Sequence, residues 1–220
     1  MERIPEKERM DQAEAVNGYA QADFADVNER FVNAVVEAMN GERVHRMLDL
    51  GSGPGDIPVA LVGANACVKL VAVEASAEML TWAARRVSSG GRSDRVVLVR
   101  GDAKALPFED GVFTAVVSNS ILHHVSDPHL FWQEVGRMLP PGGRVFMRDL
   151  LRPDNIADAR ALVDEYARDE SEALRGEFFR SLCAAYTVDE VRDQLRRADL
   201  SMLNVRVSSD RHLDVFGRAT

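Results

Sequence analysis

The run Leu48-Asp49-Leu50-Gly51-Ser52-Gly53-Pro54-Gly55-Asp56 constrains this chain more than any other segment. A short apolar strand, Met47 to Leu50, runs straight into three glycines at alternate positions. An apolar stretch from Ile57 to Val62 then opens a helix. A strand that turns sharply into a helix is expected to leave backbone N–H groups aimed at whatever lies over the turn. Glycine there lets a ligand approach the main chain without meeting a Cβ. The segment predicts a nucleotide-type cofactor loop.

Around it the hydrophobic pattern alternates between strand and helix. Val44–Leu50, Val68–Glu74, Arg95–Arg100, Val112–Ser118 and Arg144–Leu150 read as five strands. The first, second, fourth and fifth are continuous apolar runs, as expected for strands buried on both faces of a parallel sheet. Helices fit Asp56–Val62 and Ser76–Val87. Another starts at Asp127-Pro128, with Asp as N-cap and Pro in the first turn, and stops at Leu139 before Pro140-Pro141-Gly142-Gly143. Upstream, residues 10–40 read as two helices. Downstream, residues 154–183 read as helical, and Thr187 with Glu190 forms a capping box opening one more helix to Ala198. Leu200–Val207 and His212–Gly217 are two strands joined by too short a turn to be parallel. The fold class is therefore α/β: a doubly wound, mostly parallel seven-stranded sheet with a reversed C-terminal hairpin. N-terminal helices and a helical insertion before strand six complete it. The expected organisation is an N-terminal helical cap over residues 1–42 and a main domain over 43–220, with a lid at about 152–186. Trp82 and Trp132, on amphipathic helices, are expected to face the sheet.

Composition removes several function classes. The 220 residues suffice for one large domain, and a formal net charge of −8 disfavours a nucleic-acid footprint. Most of that charge lies in residues 1–42, at a net of −6, leaving the remainder at −2. Cys67 and Cys183 form no spacing pattern and read as buried free thiols, which suits a reducing cytoplasm. No stretch approaches the ~18 apolar residues that would cross a bilayer, and the charged N-terminus has no leader-like apolar region. The expectation is a soluble cytoplasmic monomer or homodimer acting on a small molecule.

The glycine spacing alone does not separate a dinucleotide from other adenosine cofactors. The dinucleotide pattern G-x-G-x-x-G is broken, because Asp56 holds its last position. Carboxylates at Asp49 and Asp56 would repel a diphosphate and favour a ligand with a cationic end. S-adenosylmethionine has one, an ammonium and a sulfonium.

Five motifs in order then resemble the class I S-adenosylmethionine-dependent methyltransferases. They are Leu48–Gly55; Val71–Ser76 with Met79-Leu80; Gly101-Asp102-Ala103 with Leu106-Pro107-Phe108; Phe113–Val125; and Leu139–Gly143. The resemblance covers residues 43–150 strongly. It implies that Asp49, Gly51, Ser52, Gly53 and Gly55 form the cofactor loop, the backbone of Gly51–Gly53 lining the methionine moiety. It implies that Glu74 takes the ribose hydroxyls, that Ala75 and Met79 flank the adenine, and that Asp102 and the Ala103 N–H bind its edge. Asn119, Ser120 and His124 would stand where the methyl group is presented, with His124 as the candidate base. Tyr19, with Phe24 beside it, would belong to an N-terminal flap near substrate.

Arg148 and Asp149 end the fifth strand on the carboxyl edge and are further substrate candidates. No Cys, Asp or Glu follows His123-His124 at ligand spacing, so no metal is expected. Arg211 and His212 read as a surface turn. The rival readings are an oxidoreductase using NAD with a variant glycine loop, and a non-catalytic module that holds the cofactor.

Overall fold

Strand β1 (Arg46–Leu50) lies at the centre of the sheet because its four inner residues are buried on both sides. In the computed structural model, which describes residues 1–7, 13–39, 44–65 and 68–219, it is flanked by β2 (Lys69–Glu74) and β4 (Ala115–Asn119). With β3 (Val96–Arg100), β5 (Arg144–Leu150), β6 (Asn204–Ser209) and β7 (His212–Arg218) they form a seven-stranded sheet of order β3-β2-β1-β4-β5-β7-β6. The first five pair in parallel, and β7 runs against both of its neighbours. The expected fold is therefore present, with the last strand inserted between the fifth and the sixth. Strand order reverses between β1 and β4, and open α/β sheets bind ligands at the carboxyl ends of the strands at such a point.

Helices cover both faces. On one, Trp132, Phe131, Val135 and Met138 of α5 (Pro128–Met138) and Val191 and Leu195 of α8 (Val188–Arg197) pack on Leu48, Leu50 and Val116. On the other, Phe31, Val32 and Val35 of α2 (Ala25–Ala38) join Leu61 and Val62 of α3 (Asp56–Ala64) and Val87 of α4 (Ala77–Ser89) over Leu70, Val117 and Phe146. The N-terminal helices thus divide: α2 is part of the core, while α1 (Ala13–Gln21) leans on α4 near the carboxyl edge.

The helical stretch after β5 is two helices, α6 (Ile156–Tyr166) and α7 (Glu172–Ala184), stapled by Leu150, Ala159, Val163 and Leu182. The break falls at residues 167–171, where Ser171 caps α7 through the Leu174 N–H. The caps read from sequence form as expected. The Asp127 carboxylate accepts from the His129 and Leu130 N–H groups, and both halves of the Thr187–Glu190 box are made. Trp132 is fully buried against the sheet, but Trp82 turns outward and donates to Asn17 of α1 at 3.0 Å. Cys183 is a free buried thiol; Cys67 lies outside the described residues. Among the described residues no helix is long and apolar enough to cross a membrane.

Candidate functional site

A cavity of about 880 Å³ opens at the carboxyl edge over the β1–β4 switch point. Of the residues expected there, Gly51, Gly53, Glu74, Ala75, Met79, Asp102, Ala103, Asn119, Ser120, Tyr19 and His124 line it. Arg211 and His212 line it as well; their place in the last hairpin lets them reach the site, although they read from sequence as a surface turn.

The glycine turn differs from its expectation in one instructive respect. Its amides do not point out at a ligand. The Gly51 and Ser52 N–H groups both donate to the Val73 carbonyl, at 2.9 and 3.1 Å, and the Gly55 N–H donates to Ser52 at 3.1 Å. The Gly53 N–H donates to Glu74 Oε2 at 2.9 Å. Glu74 Oε1 accepts the Ser76 N–H at 2.8 Å, so this carboxylate buttons the turn to β2 while still facing the cavity. A carboxylate facing a cavity is an acceptor suited to hydroxyl donors.

The three glycines do different work. A Cβ on Gly51 would sit 2.0 Å from Ile121 Cγ2, so the first glycine makes room for a neighbouring loop. A Cβ on Gly53 would meet nothing within 4 Å, which leaves an open cradle on the cavity side. A Cβ on Gly55 would lie 2.8 Å from the Ala83 backbone, and Gly55 does not line the cavity. Its role is close packing of α3 on α4, not ligand contact.

The two flanking carboxylates also part company. Asp56 forms an ion pair with Arg86, whose guanidinium also holds the Pro54 and Ala20 carbonyls, so its charge is met from within the chain. Asp49 has no such partner. It is 1% exposed, and its Oδ2 makes no hydrogen bond among the described residues. Burial, with Glu74 nearby, pushes its carboxyl up to about 8. Neither Asp49 nor Ser52, whose buried Oγ is also unpartnered, lines the cavity; both stand directly behind it. A buried orphan acid is costly unless something completes it.

These features suit one kind of ligand. A diphosphate wants free backbone N–H groups and no carboxylate, and the turn offers the reverse. An adenosyl sulfonium with an ammonium group fits an open glycine cradle backed by Asp49 and Glu74.

Beyond the turn, Ser120 holds a left-handed backbone (φ 57°) and donates its N–H to Arg148 O at 2.8 Å, bringing β4 into the short helical turn Leu122–His124. Arg148 and Asp149, expected to contact substrate, do not line the cavity, and both side chains are engaged within the protein. Successive strand residues face opposite ways. Arg148 makes two bonds to buried Asp214, at 2.7 and 3.0 Å. Asp149 points to the other face, where Oδ2 accepts the Leu122 N–H at 2.6 Å and Oδ1 meets His123 Nδ1 at 2.6 Å. That ion pair holds the Asp149 carboxyl below the usual carboxylate range against its burial, and raises His123. His124, by contrast, is lowered to about 4 by burial and by its charged neighbour.

Glu6 was invisible to sequence reasoning because nothing local marks it. Residues 1–7 lie across α7 and the helical turn: the Ile4 N–H donates to Cys183 O, and Arg3 donates to Ala184 O and His123 O. Glu6 thereby reaches both histidines and accepts from Ser181 Oγ at 2.9 Å. At the far rim, Tyr166 donates to Asp210 at 2.6 Å and Arg211 stacks 3.3 Å over its ring.

A methyltransferase-domain family model matches residues 48–147. A 27-O-demethylrifamycin SV methyltransferase from Amycolatopsis mediterranei is 30% identical over 70% of this chain and 53% of its own length. A demethylmenaquinone methyltransferase from Clavibacter sepedonicus is 37% identical over 54% of this chain and 45% of its own. The chain spans about half the length of the curated relatives it matches. In fold, it is similar to a putative S-adenosylmethionine-dependent methyltransferase structure from Methanococcus maripaludis, at TM-score 0.74 and 17% identity over 99% of this chain and 98% of that one. In sequence over residues 48–147, and in fold over nearly its whole length, the chain is similar to the class I S-adenosylmethionine-dependent methyltransferases.

Proposed function

We propose that this chain transfers a methyl group from S-adenosylmethionine to a small-molecule acceptor. The single observation that carries the reading is Asp49, a buried carboxyl with an unpartnered oxygen behind a glycine turn whose amides are all spent internally. The bound cofactor supplies a methyl group already activated on a sulfonium. The protein's task is then alignment and exclusion of water, and alignment of this kind is worth up to ~7–11 kcal/mol in intramolecular models.

In this reading Glu74 holds the ribose hydroxyls, and Asp49 offsets the ligand's cation across the Gly51–Gly53 main chain. Ala75 and Met79 pack on the adenine, while Asp102 and Ala103 meet its edge. Asn119 and Ser120 border the methyl position. Tyr19, whose phenol is pushed up to about 12 by burial beside Asp56 and Glu74, keeps its proton and remains a donor.

His124 faces the acceptor end of the cavity. At about 4 its imidazole is neutral at physiological pH, so it orients an acceptor hydroxyl better than it removes a proton from one. The acceptor half carries Leu150, Tyr166, Leu174 and Phe178 beside Arg211 and His212, which suits an apolar body with a few polar groups. Rifamycin and menaquinone precursors, named for the relatives above, are of that type. We place the cap in α1 and the Asp23–Asn28 segment, the lid in α6 and α7, and the protein in the cytoplasm.

Calorimetric titration with S-adenosylmethionine and with NAD, followed by transfer of labelled methyl to a panel of hydroxylated quinone and polyketide acceptors, tests the reading. Binding of the first alone, with label in an acceptor, supports it. Binding of NAD alone refutes it, and cofactor binding without transfer to any acceptor favours a non-catalytic module.

A further inference from the structure

We propose that Glu6, His123 and His124 form a three-ligand site for a borderline divalent cation of the zinc class at the wall of the acceptor cavity. The expectation of no metal rested on the lack of a carboxylate downstream of the histidine pair. The fold supplies one from upstream instead.

The geometry carries the inference. The ligand atoms of the three residues all lie within 4.8 Å of one another. Glu6 Oε1 is 3.6 Å from His123 Nε2 and 3.3 Å from His124 Nδ1. Four donors at about 2.0–2.1 Å from a tetrahedral zinc ion stand about 3.3 Å apart, so both Glu6–histidine separations are already near that spacing, and the third lies within 4.8 Å. One carboxylate oxygen and two imidazole nitrogens is a donor set that zinc-class cations take in preference to magnesium or calcium.

The support behind the ligands is of the right kind. An ionised Asp149 can only accept, so its 2.6 Å contact fixes the proton of His123 on Nδ1 and turns the Nε2 lone pair toward Glu6. A carboxylate behind a ligating histidine orients the ring and raises its basicity. Ser181 Oγ holds Glu6 Oε1 at 2.9 Å. The Lys7 carbonyl lies 3.2 Å from His124 Nδ1 and holds that ring beside Glu6. Both histidines line the cavity, so a coordination position not taken by protein faces the acceptor. The rival arrangement closes the cluster with protons: an imidazolium at His123 between Asp149 and Glu6, and a His124 Nδ1–H donated to Lys7.

Metal binding stands apart from the proposed function, which it would deepen by placing a cation beside the acceptor. The test uses the full chain, free of tags and stripped with a chelator. It is titrated with zinc(II) by calorimetry and with cobalt(II) by visible absorption, without S-adenosylmethionine. The proposal expects one equivalent of each, tetrahedral cobalt bands, and displacement of cobalt by zinc. Glu6→Gln keeps an acceptor for Ser181, and half-buried His124→Gln is tolerant of change. Each should weaken binding by more than the ~10–100-fold that loss of an outer-shell partner costs, with the melting temperature little moved. No one-to-one binding by the unaltered chain, or binding equally tight in both variants, overturns the proposal. S-adenosylmethionine binding to the chelator-treated protein is measured in parallel, so failure of the metal site and failure of the methyltransferase reading give different results.

Discussion

Two buried carboxylates at the carboxyl edge of the sheet, Asp49 on β1 and Asp149 on β5, are 1% and 5% exposed and have opposite fates. Asp149 is completed by its own chain, through the Leu122 and Leu150 N–H groups and the His123 ring. Its carboxyl is held below the ordinary range. Asp49 is left one partner short, and its carboxyl is pushed up to about 8. Burial is the same for both, so burial does not decide the difference. A buried acid that the chain itself finishes is architecture, whereas one left unfinished beside a cavity is a place for a ligand.

The largest effect expected from this contrast is on the finished side. In the metal-free protein, Asp149→Asn removes the nearer of the two carboxylates facing the His123 ring, leaving only Glu6, and should cost about 3–5 kcal/mol, read by urea unfolding. The sign of its pH dependence follows from the two shifts. The lowered Asp149 contributes stability above the unfolded carboxylate value of about 3.9, lost as pH falls through its folded value. The raised His123 contributes below about 6.5 and loses it as pH rises. The gap between wild type and variant should therefore be widest between about pH 4 and 6.5 and narrow on both sides. A gap independent of pH would show that the ion pair is not its source.

Next, Gly51→Ala should cost about 2–4 kcal/mol, from a left-handed backbone at φ 72° and the clash with Ile121. Adding Ile121→Ala should restore the steric part. A single variant as stable as wild type would mean that the loop over the first glycine yields easily.

Asp49→Asn reverses the pattern of Asp149→Asn. It should leave stability unchanged or raised at pH 8, where an unpartnered buried carboxylate is dearest, and weaken S-adenosylmethionine by ~10–100-fold, the worth of a charge-assisted contact. The smallest change is Trp82→Phe, which removes the bond to Asn17 and should cost about 1 kcal/mol while loosening α1 over the cavity. Hydrogen exchange in Ala13–Gln21 should quicken with little change elsewhere.

What could be read in the sequence was local. The glycine turn after β1, the Asp127 cap and the Thr187–Glu190 box depend on residues a few positions apart, and the structure contains all three. The same turn misled on its amides, because Val73 and Glu74, which take them, come from the neighbouring strand. Asp49 and Asp56 look equivalent in the chain and separate only because Arg86, a helix away, reaches one of them. Arg148 and Asp149 sat at the right edge of the sheet, but strand alternation and the distant Asp214 and His123 claim both side chains. Glu6 carries no local signal at all; only the path of residues 1–7 over α7 brings it to the histidines.

The most direct test of the central contrast is the proton count on binding. S-adenosylmethionine is titrated at pH 7 in two buffers of different ionisation heat, into the wild type and into Asp49→Asn. A carboxyl near 8 is mostly protonated at that pH and should ionise when a cation settles beside it, so the wild type should release close to one proton per site and the variant none, with affinity for the wild type rising toward pH 8. Equal proton release by both proteins, or none by either at undiminished affinity, would contradict the account.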